Sequence, residues 1–305
     1  MHQVQIYDDI YQLPERWDEL SNKDMAYLVK LTQNDVSIEQ VKIYMLLYCL
    51  KAHVSRHRKI YGDQVRISVG KESENVSFRV RRKKYLLIPE EVCSLAHLFH
   101  FLVERENQRY GIAPQYYIKP DRFVNPYPTL RTRMQKFIGP DDGLYDITFE
   151  QFIYMQTYRD AMRQDPQKIN HLLACLWHRG KIFDINRLDK DAALLRHLPD
   201  TQKIVMYWFI TGCLINLGDQ FPHVFSGKEG SIRNNVFDSQ LRLLDTLANS
   251  DMTKKDAVRK GNLMDALYSM DESVRKHDEL EERLQSKCAV SYTHLRAHET
   301  LSDLV

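Results

Sequence analysis

The sequence has no CxxC pair. Its five cysteines (Cys49, Cys93, Cys175, Cys213, Cys288) are scattered over 305 residues. That spacing offers neither a paired-cysteine zinc site nor the dense disulfide framework of small secreted domains. Three of them sit inside apolar runs, where cysteine serves as a small buried hydrophobe. A reducing cytoplasm fits the pattern. Long apolar runs are missing as well. The most apolar stretch, IVMYWFITGCLINL at 204–217, is too short to span a bilayer and reads as a buried helix. The N-terminal MHQVQIYDDI has no basic n-region and no apolar h-region, so no secretory signal and no membrane association are expected.

The motifs of phosphate binding and hydrolysis are absent too. The sequence contains no GxxxxGK[ST], no GxGxxG after a strand, no GxSxG and no HExxH. No Ser, Cys or His stands in a recognisable nucleophile setting. The sequence therefore assigns no catalytic residue, no metal and no cofactor, and the expected protein is not an enzyme. Charge of one sign is also lacking overall. Lys and Arg number 43 against 41 Asp and Glu, a net of +2, so the molecule as a whole is no obvious polyanion binder.

What the chain does have is a local separation of charge. Residues 1–40 carry eight acidic and three basic side chains, and residues 51–87 carry eleven basic and three acidic ones. Within the basic stretch, QVRISV at 64–69 and VSFRVRR at 76–82 alternate in the way half-buried strands do. They are read as a β-hairpin within 64–88. Arg66, Arg79 and Arg81 point outward, and Arg82, Lys83 and Lys84 follow directly. Such a face can contact phosphate backbones or an acidic protein surface, or it can pair with the acidic N-terminal region of the same molecule. No RNP-type aromatic motif or zinc-finger spacing points to sequence-specific reading.

The histidine pairs carry less. His53 and His57 lie beside Arg56 and Arg58 with no carboxylate near, and are read as a solvated helix end rather than a metal pair. His97 and His100 in SLAHLFHF are read as packing residues. GPDDG at 139–143 lacks the spaced oxygens of an EF-hand loop and reads as a turn before a helix.

The remaining pattern is mainly helical. VQIY at 4–7 is strand-like, and Pro14 suits the first turn of a helix. Ser37 and Gln40 make a capping-box pattern ahead of VKIYMLLYCLKAHV. A helix is expected over 90–107. Residues 108–147 hold five of the ten prolines and form a connection rich in turn signals. Thr148 and Gln151 open the next helix with a second capping box. Ile169, Leu172, Leu173 and Leu176 follow at helical spacing, then the apolar helix near 201–217, a helix from about 235, and a stripe of Leu263, Leu267, Met270 and Val274. The expected fold is mainly α: a helical domain with a small N-terminal α+β part containing the basic hairpin. The expected divisions are 1–120, a Pro-rich connection at 121–147, a helical domain at 148–287, and a terminal extension at 288–305.

Two resemblances extend this reading. CAVSYTHLRAHETLSDLV at 288–305 closely resembles the peptide produced when a sequencing adapter is translated in frame at the end of an assembled read. That resemblance implies a non-native extension on a metagenomic sequence whose natural C-terminus is missing. It also implies that His294, His298 and Glu299 form no metal site, despite their helical spacing. The second concerns LYDITFEQFIYMQTYRDAM, INHLLACLWHRGKIFD and KIVMYWFITGCLINL. With Thr148, Gln151, Phe152, Tyr158, Leu173, Ala174, Leu176 and Trp177 at the matching positions, residues 145–275 resemble the tail-assembly chaperones of tailed phages and prophages. The resemblance implies a non-enzymatic protein of the host-cell cytoplasm that binds a tape-measure-like long helical partner, with self-association as a further expectation. Phe149, Phe152, Ile153, Leu173, Leu176, Trp177, Trp208 and Phe209 are the residues expected to build the core and an adjoining partner groove. The alternative is a nucleic-acid-associated phage or mobile-element protein using Arg66, Arg79, Arg81, Arg82, Lys83 and Lys84.

Overall fold

The structure is a computed structural model that describes residues 1–34, 36–54, 76–105, 116–132, 135–180, 182–225, 236–248 and 250–302. It is mainly helical, and among the described residues the small antiparallel sheets lie before residue 140. The chain clusters into two compact units. The first comprises Met1–Leu144 and Gln167–Asn216, and the second Tyr145–Pro166 and Leu217–Val305.

The first unit opens with strands β1 (His2–Ile6) and β2 (Asp9–Leu13), paired from His2↔Leu13 to Ile6↔Asp9. Val4, Ile6 and Leu13 are buried. The sequence reading found the first of these strands and missed its return, because DIYQL is short and half polar. After a single 3-10 turn at Trp17–Glu19, helix α1 (Asn22–Thr32) starts later than Pro14 suggests. Its start is set by a capping box: Asp24 N donates to Ser21 Oγ at 3.3 Å and Ser21 N to Asp24 Oδ2 at 2.8 Å.

Helix α2 (Ile38–Cys49) begins at the Ser37–Gln40 capping box, as the sequence pattern requires, and buries Val41, Met45, Leu46 and Leu47. It stops at Cys49. Lys51, at φ 54°, turns the chain into strand β3 (Ala52–Val54). His53 is therefore an exposed strand residue and not part of a helix end. His57 lies outside the described residues, as does the strand expected at 64–69 with Arg66. Strand β4 (Val76–Val80) pairs with β3 on one side and with β5 (Lys83–Leu87) on the other.

Helix α3 (Pro89–His97) has Pro89 in its first turn and gives way to a 3-10 segment, Leu98–Leu102. The helix expected to run on to 107 instead passes into strand β6 (Val103–Arg105), which pairs with β7 (Tyr116–Ile118). The proline-rich connection carries one more hairpin, β8 (Thr129–Arg131) with β9 (Lys136–Ile138). The unit is completed by helices α5 (Ile169–Leu176), α6 (Leu188–Leu195) and the first part of α7 (Asp200–Gln220). Val205 of α7 lies in one core with Trp17, Met25, Leu28, Met45, Phe78 and Phe99. Residues 167–216 thus belong with the N-terminal residues and not with a separate domain over 148–287.

The second unit is helical. Helix α4 (Phe149–Ala161) starts at Thr148, whose Oγ1 accepts from Gln151 N at 3.2 Å, while Gln151 Oε1 accepts from Thr148 N at 3.0 Å. The short α8 (Pro222–Phe225), α9 (Val236–Leu247), α10 (Lys255–Lys260) and the long α11 (Leu263–Ser302) follow. Helix α4 packs against α9, α10 and α11. An isolated bridge between Thr148 and Asn262, with Phe149 N donating to Gly261 O and Leu263 N to Ile147 O, ties the starts of α4 and α11 together. Leu263, Leu267 and Met270 of the expected stripe are buried, and Val274 is 38 % exposed. Residues 288–302 continue the α11 backbone.

Arg122 holds the irregular connection of the first unit. It is buried, and its guanidinium donates to Trp17 O at 3.1 Å, Leu20 O at 2.9 Å and Val124 O at 2.9 Å. Asp18 Oδ1 answers by accepting from Phe123 N at 2.9 Å and Val124 N at 2.8 Å. Helix α7 lies against this segment at Gly212, where an added Cβ would come within 2.5 Å of Arg122 N and O. We expect Arg122→Met to lower unfolding free energy by about 2–4 kcal/mol, because two buried carbonyls lose a charged donor. Gly212→Ala should cost about 1–3 kcal/mol by overpacking. Both effects will read as lower denaturant midpoints at unchanged m-value, and unchanged midpoints would refute this account.

Candidate functional site

The β3–β4–β5 sheet divides its residues by alternation. Val76, Phe78, Val80, Tyr85 and Leu87 are buried on the inner face. On the outer face the register aligns His53 with Arg79 and Arg79 with Lys84, so three exposed basic residues form one row across three strands. The β4–β5 turn adds Arg81 and Arg82, both exposed. Arg81 sits at φ 55°, in the left-handed region that favours glycine.

One of these cations is neutralised within the molecule. Lys83 Nζ contacts both oxygens of Asp9, at 2.6 and 2.7 Å, and the Tyr85 hydroxyl donates to the same carboxylate at 2.6 Å. The hydrogen bond from Lys83, then that from Tyr85, holds the Asp9 carboxyl below its ordinary range, and the field of Arg81 acts in the same direction. Asp9 in turn raises Lys83. The pairing of the basic stretch with the acidic N-terminal region is thus realised at Lys83. Arg79, Arg82 and Lys84 have no ion pair among the described residues. Arg79 and Lys84 face one another directly across the strand pair, an arrangement of like charges that costs stability. The sequence reading located VSFRV correctly as a strand, and its expected partner at 64–69 lies outside the described residues. The signal for its neighbour β5 was the alternation of Tyr85 and Leu87, beyond the two-residue turn Arg81–Arg82.

The residues expected to line a partner groove are placed differently. Phe149, Phe152, Ile153, Leu173, Leu176, Trp177 and Phe209 are all buried. Trp208 is partly buried and meets Trp17 edge-on with ring centroids 5.7 Å apart. Phe149 and Phe152 stack in the second unit, whereas Trp177 and Phe209 pack in the first at 6.2 Å. Their contribution is to the cores. Exposed apolar side chains are scattered over the described residues, among them Leu280 and Leu284 of α11, 56 % and 55 % exposed.

Other candidate chemistry is limited. Burial pushes the Cys175 and Cys213 thiols up and Cys49 up to about 12, so all three stay protonated near neutral pH and are poor nucleophiles. His97 and His100 are exposed and stack on one another, centroids 5.7 Å apart. In GPDDG, Asp142 Oδ1 accepts from Asn125 N at 2.7 Å, and Gly143 takes φ 67° in a turn before α4. Among the described residues no group of three or more His, Cys, Asp or Glu could hold a metal ion. None of their helices is long and apolar enough to cross a membrane. An open cleft of about 540 Å³ between α5 and α6 is lined by Gln167, Asn170, His171, Asp189, Ala192, Ala193 and Arg196. It contains a His171–Asp189 contact of 3.4 Å but no Ser, Thr or Cys to act as nucleophile.

No family model, curated protein or solved structure matches this chain.

Removing one of the opposed cations tests the electrostatics of the row. Arg79→Gln should raise the stability of the free protein by a few tenths of a kcal/mol and by no more than about 1 kcal/mol. The gain should fade in high salt, where exposed charges are screened. Thermal denaturation at low and high ionic strength would measure it, and a loss of stability at low salt would contradict the assignment.

Proposed function

We propose that the protein binds the phosphate backbone of nucleic acid, without reading sequence, through the outer face of β3–β4–β5. The observation that carries this reading is the row of His53, Arg79 and Lys84, continued by Arg81 and Arg82 at the turn. Opposed like charges and an arginine in the left-handed region both cost stability. An incoming phosphate repays the first cost by supplying the missing counter-charge. The buried inner face holds the strands in place, so the cations are presented by a packed sheet and not by a loose loop. Among the described residues the row carries no Phe, Tyr or Trp, which favours backbone contact over base stacking.

The test is the salt dependence of binding to mixed-sequence duplex DNA. Replacing Arg79, Arg81, Arg82 and Lys84 with Gln should reduce the slope of log K against log salt by roughly 3 to 4. Lys83 is left in place because it holds Asp9. The absence of wild-type binding at low ionic strength would end this reading, and so would binding to polyglutamate but not to DNA.

A second reading has its own supporting observation. Leu280 and Leu284 of α11 are exposed and lie one helical turn apart, and a neighbouring pair of exposed leucines on a helix suits capture of another helix. This is compatible with the assembly-chaperone reading in the host cytoplasm, moved from the buried residues of α4, α5 and α7 to α11. Co-expression with a long helical tape-measure-like protein should keep that partner soluble. Leu280→Glu with Leu284→Glu should break the pair while circular dichroism stays unchanged. A partner equally soluble alone would remove the reading.

A further inference from the structure

We infer that the β8–β9 hairpin is a second phosphate contact of the first unit, independent of the β3–β4–β5 face. The inference rests on the nucleic-acid reading above and extends it to residues outside the basic stretch. The register of this hairpin places Arg131 directly opposite Lys136. Both are exposed, and neither has an ion pair among the described residues. Side chains directly opposite on paired strands have Cβ atoms about 4.5–5.5 Å apart, so the two cations converge on a volume that one phosphate group can occupy.

The other described hairpins of the unit differ. In β1–β2 the facing pairs carry no opposed cations. In β6–β7 the acid Glu104 accepts from Tyr117 Oη at 2.6 Å and from Lys119 Nζ at 2.9 Å, and these contacts hold its carboxyl below the ordinary range. Cation against cation recurs only at β4–β5 and β8–β9 among the described strand pairs. Two separate hairpins therefore share the same electrostatic cost, which an anion relieves in each case.

The hairpin is also held rigidly enough to present its charges. Leu130 and Phe137 are buried on its inner face. Thr132 N donates to Gln135 O at 2.9 Å across the tip. At the end of β9, Ile138 and His178 exchange two backbone hydrogen bonds, at 2.9 and 3.1 Å, and Gly139 N donates to Pro128 O at 2.9 Å. Trp177 closes over Gly139, where an added Cβ would overlap its indole ring, and Trp177 Nε1 donates to Tyr127 O at 2.7 Å. These contacts fix the two described strands, so Arg131 and Lys136 are held in place before a ligand binds and the electrostatic gain is retained.

The experiment uses the full chain and labelled mixed-sequence duplex DNA over a salt series. Arg131→Gln with Lys136→Gln should reduce the slope of log K against log salt by about 1, since the pair neutralises one phosphate and each phosphate neutralised contributes about 0.9. Combined with the four-residue variant of the β4–β5 face, the two reductions should add. The melting temperature of the double variant should be unchanged or slightly raised. If the wild type binds with a steep slope and the double variant keeps that slope, the inference is overturned while the β3–β4–β5 reading stands. A loss of affinity with the slope unchanged also overturns it, because that outcome marks a structural effect. If the wild type shows no salt-dependent binding, both fail together.

Discussion

The first unit depends on one buried cation. Arg122 reaches from an irregular, proline-rich segment into the carbonyls of Trp17 and Leu20, and Asp18 closes the loop by taking the amide protons of Phe123 and Val124. Burial lowers the affinity of Arg122 for its proton, and the nearby Asp18 and Asp142 oppose that shift. The arrangement satisfies backbone groups that no helix or sheet could serve, because the prolines of this segment prevent regular structure. It also forces a glycine at position 212, since α7 must touch the same backbone. With Trp17 fixed on one side and α7 on the other, Val205 and Trp208 enter the core around α1, α2 and the β3–β4–β5 sheet.

That core in turn determines which charges face outward. Phe78 and Tyr85 are drawn inward and stack with centroids 5.7 Å apart. Strand alternation then leaves Arg79 and Lys84 on the opposite face. The Asp9–Lys83–Tyr85 contacts fasten the β1–β2 hairpin to the same sheet and consume one of its cations. Arg79, Arg82 and Lys84 have no ion pair among the described residues, and it is this imbalance, not the net charge of +2, on which the proposed function rests. A near-neutral total conceals a local excess because acidic and basic residues are segregated along the chain.

Part of this was legible in the residues. Ser37–Gln40 and Thr148–Gln151 announced the starts of α2 and α4, because a capping box involves only residues three apart. The inward and outward faces of β4 followed from its alternation alone. The residues at 148–177 and 201–217 were visible as apolar helices. Their burial was not, because an apolar stripe is the same whether it meets the rest of its own chain or a partner. Phe149 and Trp177 are buried for the first reason.

Other features could not be read locally. The return strand β2, the pairing of β4 with β3 and β5, and the end of α2 at Cys49 depend on which segments meet. Hydrogen-bond ladders and φ reversals such as that of Lys51 carry little local signal. The same holds for the grouping of 167–216 with the N-terminal residues, which follows from Trp17, Val205 and Trp208 sharing one core. The sequence by itself determined the mainly helical class, the capped helix starts and the concentration of positive charge, since these arise from periodicity and composition over a few residues. Only the tertiary structure decided which apolar residues are interior, that Lys83 is neutralised by Asp9, and that Arg131 opposes Lys136, because each of these requires residues to be brought together by the fold.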